Sequence, residues 1–463
     1  MIRRAKTYLG SLGSDLPSSL VVFLVALPLC LGIALGSGAP LFSGIIAGII
    51  GGIVIGALSG SQLSVSGPAA GLTAIVVVAI GKLQVYEAFL LAVVLSGIFQ
   101  VILGYLKAGI LGDYIPGSVI KGMLAAIGLI LILKQIPHLN GFEADFEGDQ
   151  TFEQKDGHNT ITEIYYSFKN MVPVALGIGI LSLALQWAWD KYLVKLGKVF
   201  KLIPAPLIVV LACTAINEFL KASRPELALG GAHLVQIPIA NSGKEFLSFF
   251  THPDFSHLGN VAVWTTAVTI ALVASLETLL NVEAADELDP YQRVTPTNRE
   301  LKAQGVGNVL SGLIGGLPIT SVIVRTSANI YAGAKTKMSA ILHGIFLLSS
   351  VALIPTVLNL IPLTALAGVL IYTGFKLAKP AIFIKFYKKG MDQFMPFVIT
   401  IVAILFTDLL IGILIGCVVG LFFVMRSNFK SAVLVVNDHN RYLFRLHTIW
   451  RSEERRVGKE CRS

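Results

Sequence analysis

Charged residues are scarce in this chain of 463 residues. Asp, Glu, Lys and Arg make up 14% of it, hydrophobic residues make up 54%, and the mean hydropathy is +0.76. This composition excludes an ordinary soluble enzyme, which carries a larger charged fraction on its surface. Apolar runs of about 20 residues, the length that crosses a bilayer, recur along the chain. The sequence therefore predicts an integral membrane protein.

Signatures of enzymatic and metal chemistry are also missing. The four cysteines, Cys30, Cys213, Cys417 and Cys461, have neither disulfide-like nor metal-like spacing. Zinc-protease, Walker-loop and nucleophile-elbow motifs do not occur in a matching context, so we expect no enzyme activity and no cofactor. The net charge of +9 comes from basic residues in short loops between apolar runs. That distribution is typical of membrane-protein orientation and not of nucleic-acid binding, so the expected surroundings are a lipid bilayer.

The apolar runs predict 14 transmembrane segments in residues 1–425. They lie at about 17–36, 41–59, 67–81, 86–106, 116–136, 170–190, 203–219, 260–283, 302–314, 319–331, 338–356 and 361–375, with two more over 393–425. A polar segment at about 220–258 separates the first repeat, about 10–219, from the second, about 260–425. Seven segments per half force opposite orientations. The predicted fold is therefore an all-α polytopic membrane protein with a 7+7 inverted repeat.

Loop charges predict the orientation of these segments. The N-terminus is basic, and lysines crowd the loops at 191–201 and 376–389, which places these three regions in the cytoplasm. With an even number of crossings, both termini are cytoplasmic. No cleavable signal peptide is expected, because the first apolar run continues into a second one. We expect a multi-pass protein of the inner membrane of a bacterium.

Two interrupted segments occupy the third position of each half. The first reads Ser64 to Ala70 and the second Gly315 to Asn329, and both combine β-tolerant polar residues with Gly and Pro before a helix begins. Non-helical backbone within a membrane is tolerated only where it is buried in protein or lines a watery cavity. Segments three and ten are therefore predicted to be half-helices with short strand-like lead-ins at a binding site.

Two half-helix starts that face each other would bind an anion through backbone amides, since each has unpaired N–H groups and a partial positive charge. The predicted anion-binding residues are Ser66, Gly67, Pro68, Ala69 and Ala70 in the first half, and Thr320, Ser321, Val322, Ile323 and Val324 in the second. Thr320 and Ser321 add hydroxyl donors or cap the helix. Capping alone by Ser66 and Thr320 is the alternative.

Two ionisable residues near these starts are predicted to serve the site. Arg325 would set a positive potential beneath it, because an arginine within a membrane is costly; neutralising Glu277 or extending to the surface are the alternatives. Glu277, with Asn281 one turn later, would bind a sodium ion or a proton and so couple a cation gradient to the anion. A structural pairing of Glu277 with Arg325 stays open. His343 is expected to be a packed residue.

Sequence motifs over about residues 10–430 resemble the sulfate permease (SulP) family of anion transporters, which includes the mammalian anion exchangers and prestin. The matching residues are Asn298, Glu300, Leu301, Gln304, Gly305, Asn308, Gly315, Gly316, Pro318, Arg325, Thr326 and Asn329, with Asp15, Leu16, Pro28, Gly67, Pro68, Pro116, Val119, Gly122, Pro362, Leu366, Ala367 and Gly368 elsewhere. The resemblance implies seven plus seven inverted helices, a core domain moving against a gate domain, a substrate between helices three and ten, and a homodimer.

The chain departs from the family pattern at the site. Leu29 replaces the usual glutamine after the first-segment proline, and hydroxyl residues expected near Asn281 and Ile323 are missing. In sodium-bicarbonate members a sodium-binding aspartate stands at the position of Glu277, so these losses favour protons over sodium. Family members usually end in a STAS domain. Residues 426–450 resemble the start of this domain, so we expect them to be the first part of a truncated STAS-like segment. Residues 451–463 are expected to be a non-native or disordered tail.

The function predicted is secondary active transport of a small anion, bicarbonate or sulfate first, coupled to a proton or sodium through an elevator-like movement. Alternatives within the resemblance are a dicarboxylate transporter, an anion exchanger and an anion channel. A nucleobase carrier is a further alternative. It would need acidic or amide side chains on both the eighth and the tenth segments to read base edges, and residues 319–324 of the tenth have none. A membrane scaffold is the alternative outside transport.

Overall fold

The computed structural model describes residues 2–110, 115–143, 152, 159–195, 200, 203–240, 242–407, 409–430, 436–438 and 441–443. In the first half the elements are α1 (Ile2–Gly36), α2 (Leu41–Leu58), β1 (Ser66–Pro68), α3 (Thr73–Leu83), α4 (Tyr86–Tyr105), α5 (Gly117–Leu139), α6 (Thr160–Lys169), α7 (Pro173–Lys191) and α8 (Ala205–Ser223). The chain then passes through a short helix, α9 (Gly243–Ser248), before the second half begins.

The second half repeats this arrangement of elements. It contains α10 (Val261–Leu288), α11 (Thr297–Leu313), β2 (Ile319–Ser321), α12 (Ile323–Tyr331), α13 (Met338–Leu353), α14 (Pro355–Leu358), α15 (Leu363–Leu377), α16 (Pro380–Lys388), α17 (Met391–Phe406) and α18 (Leu409–Lys430). Every predicted transmembrane segment overlaps at least one of these helices. The predicted all-α architecture is therefore confirmed, while the number of 14 crossings stays a prediction.

Eight of the described helices are long and apolar enough to cross a membrane. Three further apolar helices are shorter, Met338–Leu353, Met391–Phe406 and Ile411–Phe423. The two interrupted segments belong to neither class, because α3 and α12 contain only 11 and 9 residues. At 1.5 Å per residue, a helix of that length covers about half of the hydrocarbon thickness. These two elements are half-helices, as the sequence predicted.

The strand-like lead-ins are real strands that pair with each other. β1 and β2 run antiparallel, with Ser66 opposite Ser321, Gly67 opposite Thr320 and Pro68 opposite Ile319. All six residues are buried. The pairing satisfies backbone groups that would otherwise be exposed in an apolar interior, where each unpaired group costs free energy. The two half-helices therefore start from one shared structural unit.

The helices pack in two groups. The core group, α1–α4 and α10–α13, surrounds the strand pair, with α4 against α11 and α1 against α13. The gate group, α5–α8 and α15–α18, packs mainly within itself, with α5 against α15 and α17. Contacts between the groups run from α1 to α8 and α15, and from α10 to α5. The two groups thus meet along the face where α12 begins.

Close backbone packing shapes α2 beside the strand pair. This helix contains a π turn over Gly51–Ile55, the kind of irregularity that often accompanies functional sites. A Cβ added to Gly51 would collide with the carbonyl of Ser66, and one added to Gly52 would lie 2.6 Å from the Cα of Gly344. Glycine therefore allows α2 to lie directly against β1 on one side and α13 on the other.

The C-terminal region is described only in part. Val436–Asp438 pairs antiparallel with Arg441–Leu443 as β3 and β4. The remaining predictions for 426–450 and the predicted tail at 451–463 fall mostly or wholly outside the described residues. The acidic loop over 143–156 is likewise described only at Phe152 and at its first residue.

Candidate functional site

Asn308 fixes the position of β2. Its Oδ1 accepts a hydrogen bond from the backbone N–H of Ile319 at 2.6 Å, and its Nδ2 donates to the Ile319 carbonyl at 3.0 Å. Nδ2 also donates to Oε1 of Gln100 at 2.6 Å, so α4, α11 and β2 share one amide side chain. All of these groups are buried, where hydrogen bonds are costly to lose. The strand that leads into α12 is therefore held rigidly by the core group.

The hydroxyl groups of the strand pair bond within the core group. Ser321 Oγ and Ser64 Oγ lie 2.7 Å apart, and Ser66 Oγ accepts a hydrogen bond from Gln304 Nε2 at 2.7 Å. The Thr320 hydroxyl donates to the carbonyl of Ser321 at 3.2 Å. Thr320 and Ser321 are the two residues that were expected to add hydroxyl donors, and both hydroxyls have partners within the core group. The bonds of Ser321 and Ser66 link the strand pair to Ser64 and to α11, whereas the bond of Thr320 stays within β2.

The alternative that Ser66 and Thr320 only cap the two half-helices is wrong. The N-cap of α12 is Val322 and that of α3 is Leu72, and neither helix start has a side-chain cap hydrogen bond. The irregular start of α3 is instead a 3₁₀ turn over Ala70–Leu72. Because no capping side chain accepts a hydrogen bond from the first amides of either helix, these amides are left to other partners.

The backbone amides available at the second half-helix lie slightly later than predicted. The N–H of Val322 donates to the Val65 carbonyl at 2.9 Å, and that of Ser321 points to Thr278 Oγ1 at 3.4 Å. The first bond inside α12 runs from Thr326 N to the Val322 carbonyl. The amides of Ile323, Val324 and Arg325 consequently have no partner within the helix. The amides without a partner in the helix are those of 323–325, whereas the predicted anion-binding residues of this half are 320–324.

The first half-helix brings its start close to the predicted coupling residue. Leu72 N donates to the Ala69 carbonyl at 3.2 Å, which leaves the amides of Ala70 and Gly71 as the open end of this turn. A Cβ added to Gly71 would lie 3.1 Å from Glu277 Oε2. The absence of a side chain at Gly71 therefore lets the Glu277 carboxylate approach the positive end of this turn.

A cavity lies in front of the second half-helix, between the core and gate groups. Its volume is about 30 Å³, which is space for about two water molecules. The core group lines it with Leu29, Ile33, Glu277, Asn281 and Val322–Arg325, and the gate group with Ile130, Leu131, Lys134, Gln135 and Leu409. The cavity thus brings together six of the predicted residues, Val322, Ile323, Val324, Arg325, Glu277 and Asn281. The other predicted residues do not line it: Ser66, Gly67, Pro68, Ala69, Ala70, Thr320 and Ser321.

Glu277 and Asn281 present unpaired oxygens at the cavity. Glu277 is 7% exposed and its Oε2 has no hydrogen-bond partner. Asn281 Nδ2 donates to the Ser321 carbonyl at 2.6 Å, which leaves its Oδ1 without a partner. A second, smaller cavity beside Gly71 is lined by the same two residues. Two oxygens one helical turn apart can bind a hard cation, or the carboxylate can accept a proton.

Arg325 is fully buried but does not pair with Glu277. Its Nη2 donates to Cys30 Sγ at 3.2 Å, while Nε and Nη1 have no partner in the structure. The guanidinium lies directly against Gly67, where any Cβ would collide with it. No ion pair joins Arg325 to Glu277 among the described residues. Both the pairing alternative and the surface alternative for Arg325 are therefore wrong.

Sequence reasoning missed Lys134 and Gln135 of α5. Lys134 is 7% exposed and lies near the end of a predicted transmembrane segment, so the rule that singled out Arg325 also applies to it. Thr278 was missed as well, and no local pattern marks it, because its role depends on a contact with β2. Leu29 lines the cavity, so the replacement of the family's usual glutamine by leucine removes a side-chain donor from this cavity.

The sequence pattern of the Sulfate permease family matches residues 12–426. The chain is 27% identical over 416 residues to a putative sulfate transporter of Bacillus subtilis, YvdB, with 89% of this chain and 73% of that protein covered. It is 26% identical over 330 residues to the bicarbonate transporter BicA of Picosynechococcus, with 71% and 53% covered. The chain thus spans about half the length of the latter relative.

Solved structures share the fold. The transmembrane domain of a cyanobacterium bicarbonate transporter, BicA, superposes with a TM-score of 0.57 at 22% identity, and 89% of this chain and 97% of that one are covered. The overall structure of SLC26A9 gives a TM-score of 0.62 at 18% identity, with 91% and 66% covered. The family match extends over nearly all of the described helices and includes both half-helices of the site. The chain is a multi-pass membrane protein that belongs to the sulfate permease family.

Proposed function

We propose that this chain is a secondary active transporter of a small oxyanion, sulfate or bicarbonate, held by the amides of Ile323, Val324 and Arg325. The observation that carries the proposal is the set of backbone amides without a partner at the start of α12. Three unpartnered amides point from a rigid strand pair toward a cavity between two helix groups. Such a site binds an anion through dipoles and releases it easily, because it contributes only a partial charge.

The printed names of the relatives support the choice of substrate. YvdB is named a putative sulfate transporter and BicA a bicarbonate transporter. Both anions are small and have several acceptor oxygens, and this matches a cluster of N–H donors. A nucleobase carrier would need acidic or amide side chains on both the eighth and the tenth segments. Glu277 and Asn281 supply them on the eighth, but Val322, Ile323 and Val324 of the tenth are apolar and cannot read base edges.

Glu277 is proposed to couple transport to a cation. Its carboxylate is buried, has an unpaired oxygen and shares the cavity with the amides of α12. Binding of a proton or sodium there removes a negative charge next to the anion, so the two ligands favour each other's binding. Asn281 Oδ1 supplies a second oxygen for either cation.

Movement of the core group against the gate group is proposed as the transport step. A cavity of about 30 Å³ is too small for a tetrahedral oxyanion of five heavy atoms. Binding therefore requires α5 and α18 to separate from α10 and α12. Because the side-chain hydrogen bonds that hold the strand pair come, within the described residues, from α10, α11 and other core-group residues, the anion site would travel with that group as a rigid body. We place the protein in a bacterial inner membrane as a homodimer with both termini cytoplasmic.

The test is uptake of radiolabelled sulfate and bicarbonate into proteoliposomes that contain the full chain. An inward proton or sodium gradient should drive accumulation above the equilibrium level of the anion. Gradients of each cation, imposed separately, identify the coupling ion. Accumulation that never exceeds electrochemical equilibrium under either gradient would refute secondary active transport and favour a channel. A competition panel with chloride, fumarate and oxalate then ranks the substrates.

A further inference from the structure

We propose that the short helix α16 and the lysines at its two ends bind the phosphate groups of anionic lipids. This inference goes beyond the proposed function, because it requires only that the chain spans a membrane and does not depend on what the chain transports. We call the proposed binding region the α16 surface. It consists of the exposed residues Lys379, Ile384, Lys385, Tyr387, Lys388 and Lys389.

α16 is a separate helix between two longer helices of the gate group. It begins at Pro380, and proline cannot continue a preceding helix, because it lacks the backbone N–H and its ring collides with the previous turn. α15 ends at Leu377, and residues 378–379 are not helical. The 9 residues of α16 span about 14 Å, which is too short to cross the hydrocarbon core. The helix therefore lies at the end of α15 without crossing the bilayer itself.

Aromatic contacts fix one side of α16 against α17. Phe386 is buried and stacks on Phe397 with 4.6 Å between the ring centroids, and Phe383 meets the same ring edge-on at 5.3 Å. Aromatic pairs at such distances add to the stabilisation that comes from the apolar area they bury. Because these rings are turned toward α17, the residues on the other side of α16 remain at the surface of the molecule.

The exposed side of α16 has an apolar strip beside a basic one. Ile384 and Tyr387 are 56% and 65% exposed and three residues apart, so they are neighbours on the helix surface. Lys385 and Lys388 have the same spacing and are also exposed. This arrangement is typical of a helix in the bilayer interface, where apolar side chains enter the acyl region and ammonium groups reach the headgroups.

The charges of this surface are not balanced by acidic side chains. Among the residues that the structure describes, no ion pair joins any of its four lysines to a carboxylate. Lys376 differs, because its Nζ lies 2.6 Å from Asp190 Oδ2, and it is therefore not part of the surface. Asp392 is the only acidic residue in the sequence from 379 to 407. The four ammonium groups are thus available to an anion from outside the chain.

The position of the surface favours a lipid phosphate over a dissolved one. α16 is flanked by the apolar helices α15 and α17, so it lies where lipid headgroups surround the protein. Clusters of about four to eight basic residues next to the cytoplasmic end of a transmembrane helix are typical of binding sites for anionic lipids. The loop charges predict this end of α15 in the cytoplasm. A dissolved phosphate would bind the lysines but would not cover Ile384 and Tyr387.

A tryptophan on this surface can report which lipid lies next to it. The full chain with Tyr387→Trp is reconstituted into phosphatidylcholine bilayers that contain phosphatidylglycerol as a minor component. Bromine, which quenches tryptophan fluorescence on contact, is carried either by the phosphatidylglycerol or by an equal amount of the phosphatidylcholine. The chain without this substitution gives the background of its 4 native tryptophans. We expect brominated phosphatidylglycerol to quench the reporter more strongly, with a local enrichment of about fivefold, the contribution of one lysine close to an anionic bilayer.

Variants that carry the same reporter test whether the lysines cause this enrichment. The combined substitutions Lys385→Gln, Lys388→Gln and Lys389→Gln should remove most of it. A matched control removes the same charge from exposed lysines of α6, α8 and α9, which the predicted topology places on the opposite side of the membrane: Lys169→Gln, Lys221→Gln and Lys244→Gln. This control should keep the enrichment. Added sodium chloride should lower the enrichment of the unsubstituted surface, because it screens the charges.

Four results would overturn the proposal. The first is no quenching by either brominated lipid, which would place α16 in water, and the second is equal quenching by both. The third is an equal loss of enrichment in the control, which would assign the effect to net charge. The fourth is a loss caused by soluble glycerol phosphate but not by sodium chloride at the same ionic strength, which would identify a site for free phosphate. If Tyr387→Trp does not yield folded protein, Ile384→Trp provides the reporter.

Discussion

Removing the Asn308 side chain should displace the strand that leads into α12. Asn308→Ala deletes three buried hydrogen bonds, two to the backbone of Ile319 and one to Gln100, at 2.6, 3.0 and 2.6 Å. It leaves the N–H and carbonyl of Ile319 and the Oε1 of Gln100 without these partners. The site loses its rigid support while no residue that lines the cavity is changed.

The expected cost follows from the number of groups left unpaired. A buried donor or acceptor without a partner costs about 1–3 kcal/mol, so three of them give about 3–9 kcal/mol before relaxation. Ser311→Ala serves as a graded comparison, because it removes one hydrogen bond, from Ser311 Oγ to the Leu317 carbonyl at 2.7 Å. Its expected cost is about 1 kcal/mol. The two variants should therefore differ clearly in stability.

Thermal unfolding in detergent and transport in proteoliposomes measure the two consequences. Asn308→Ala should lower the apparent Tm well below that of Ser311→Ala and should raise the KM for the anion, since the amides of α12 are no longer held in place. An Asn308→Ala protein with wild-type Tm and wild-type KM would refute the reasoning. So would a Ser311→Ala protein that loses as much stability as Asn308→Ala.

Three further predictions test the coupling site, the cavity and the support of the core group. Glu277→Gln should abolish cation-driven accumulation and preserve anion counterflow, because it removes the titratable charge but keeps the size; accumulation at the wild-type level would contradict this. Leu131→Trp should block transport by filling the cavity without unfolding the protein, whereas Leu133→Trp, a half-buried neighbour outside the lining, should transport. Asp15→Ala should destabilise the protein by about 3 kcal/mol. The Asp15 carboxylate accepts hydrogen bonds from the backbone N–H of Lys335 and from the N–H and hydroxyl of Thr336. An unchanged apparent Tm of the variant would refute this prediction.

The sequence was sufficient to predict the two half-helices, because the residue pattern that interrupts each of them is local. Gly67 and Pro68 weaken a helix wherever they occur, and Gly315 adopts a φ of +92°, which other residues rarely tolerate. Polar, β-tolerant residues next to such positions indicate extended backbone. The strand-like lead-ins could be predicted from these features, whereas the antiparallel pairing of β1 with β2 is shown only by the structure.

The orientation of side chains at the site could not be predicted in the same way. Ser66 bonds with Gln304 across 238 positions of the chain, and Ser64 with Ser321 across 257. Whether a hydroxyl faces the cavity or the core depends on partners that only the tertiary fold supplies. The same holds for Lys134, since the sequence shows a lysine in an apolar run but not which helix it faces. Local rules therefore located the backbone of the site and not its side-chain contacts.

The strand pair also constrains how the protein can be made. Its two strands come from opposite halves of the chain, so the entropy of closing a very long loop must be overcome before either strand is paired. Until α10 and α11 have been synthesised, β1 has no partner, and its backbone groups remain unsatisfied or hydrated. Pairing can occur only when β2 arrives. We therefore expect the anion site to be among the last parts of the molecule to form during membrane insertion, and chains that stall earlier to be prone to degradation.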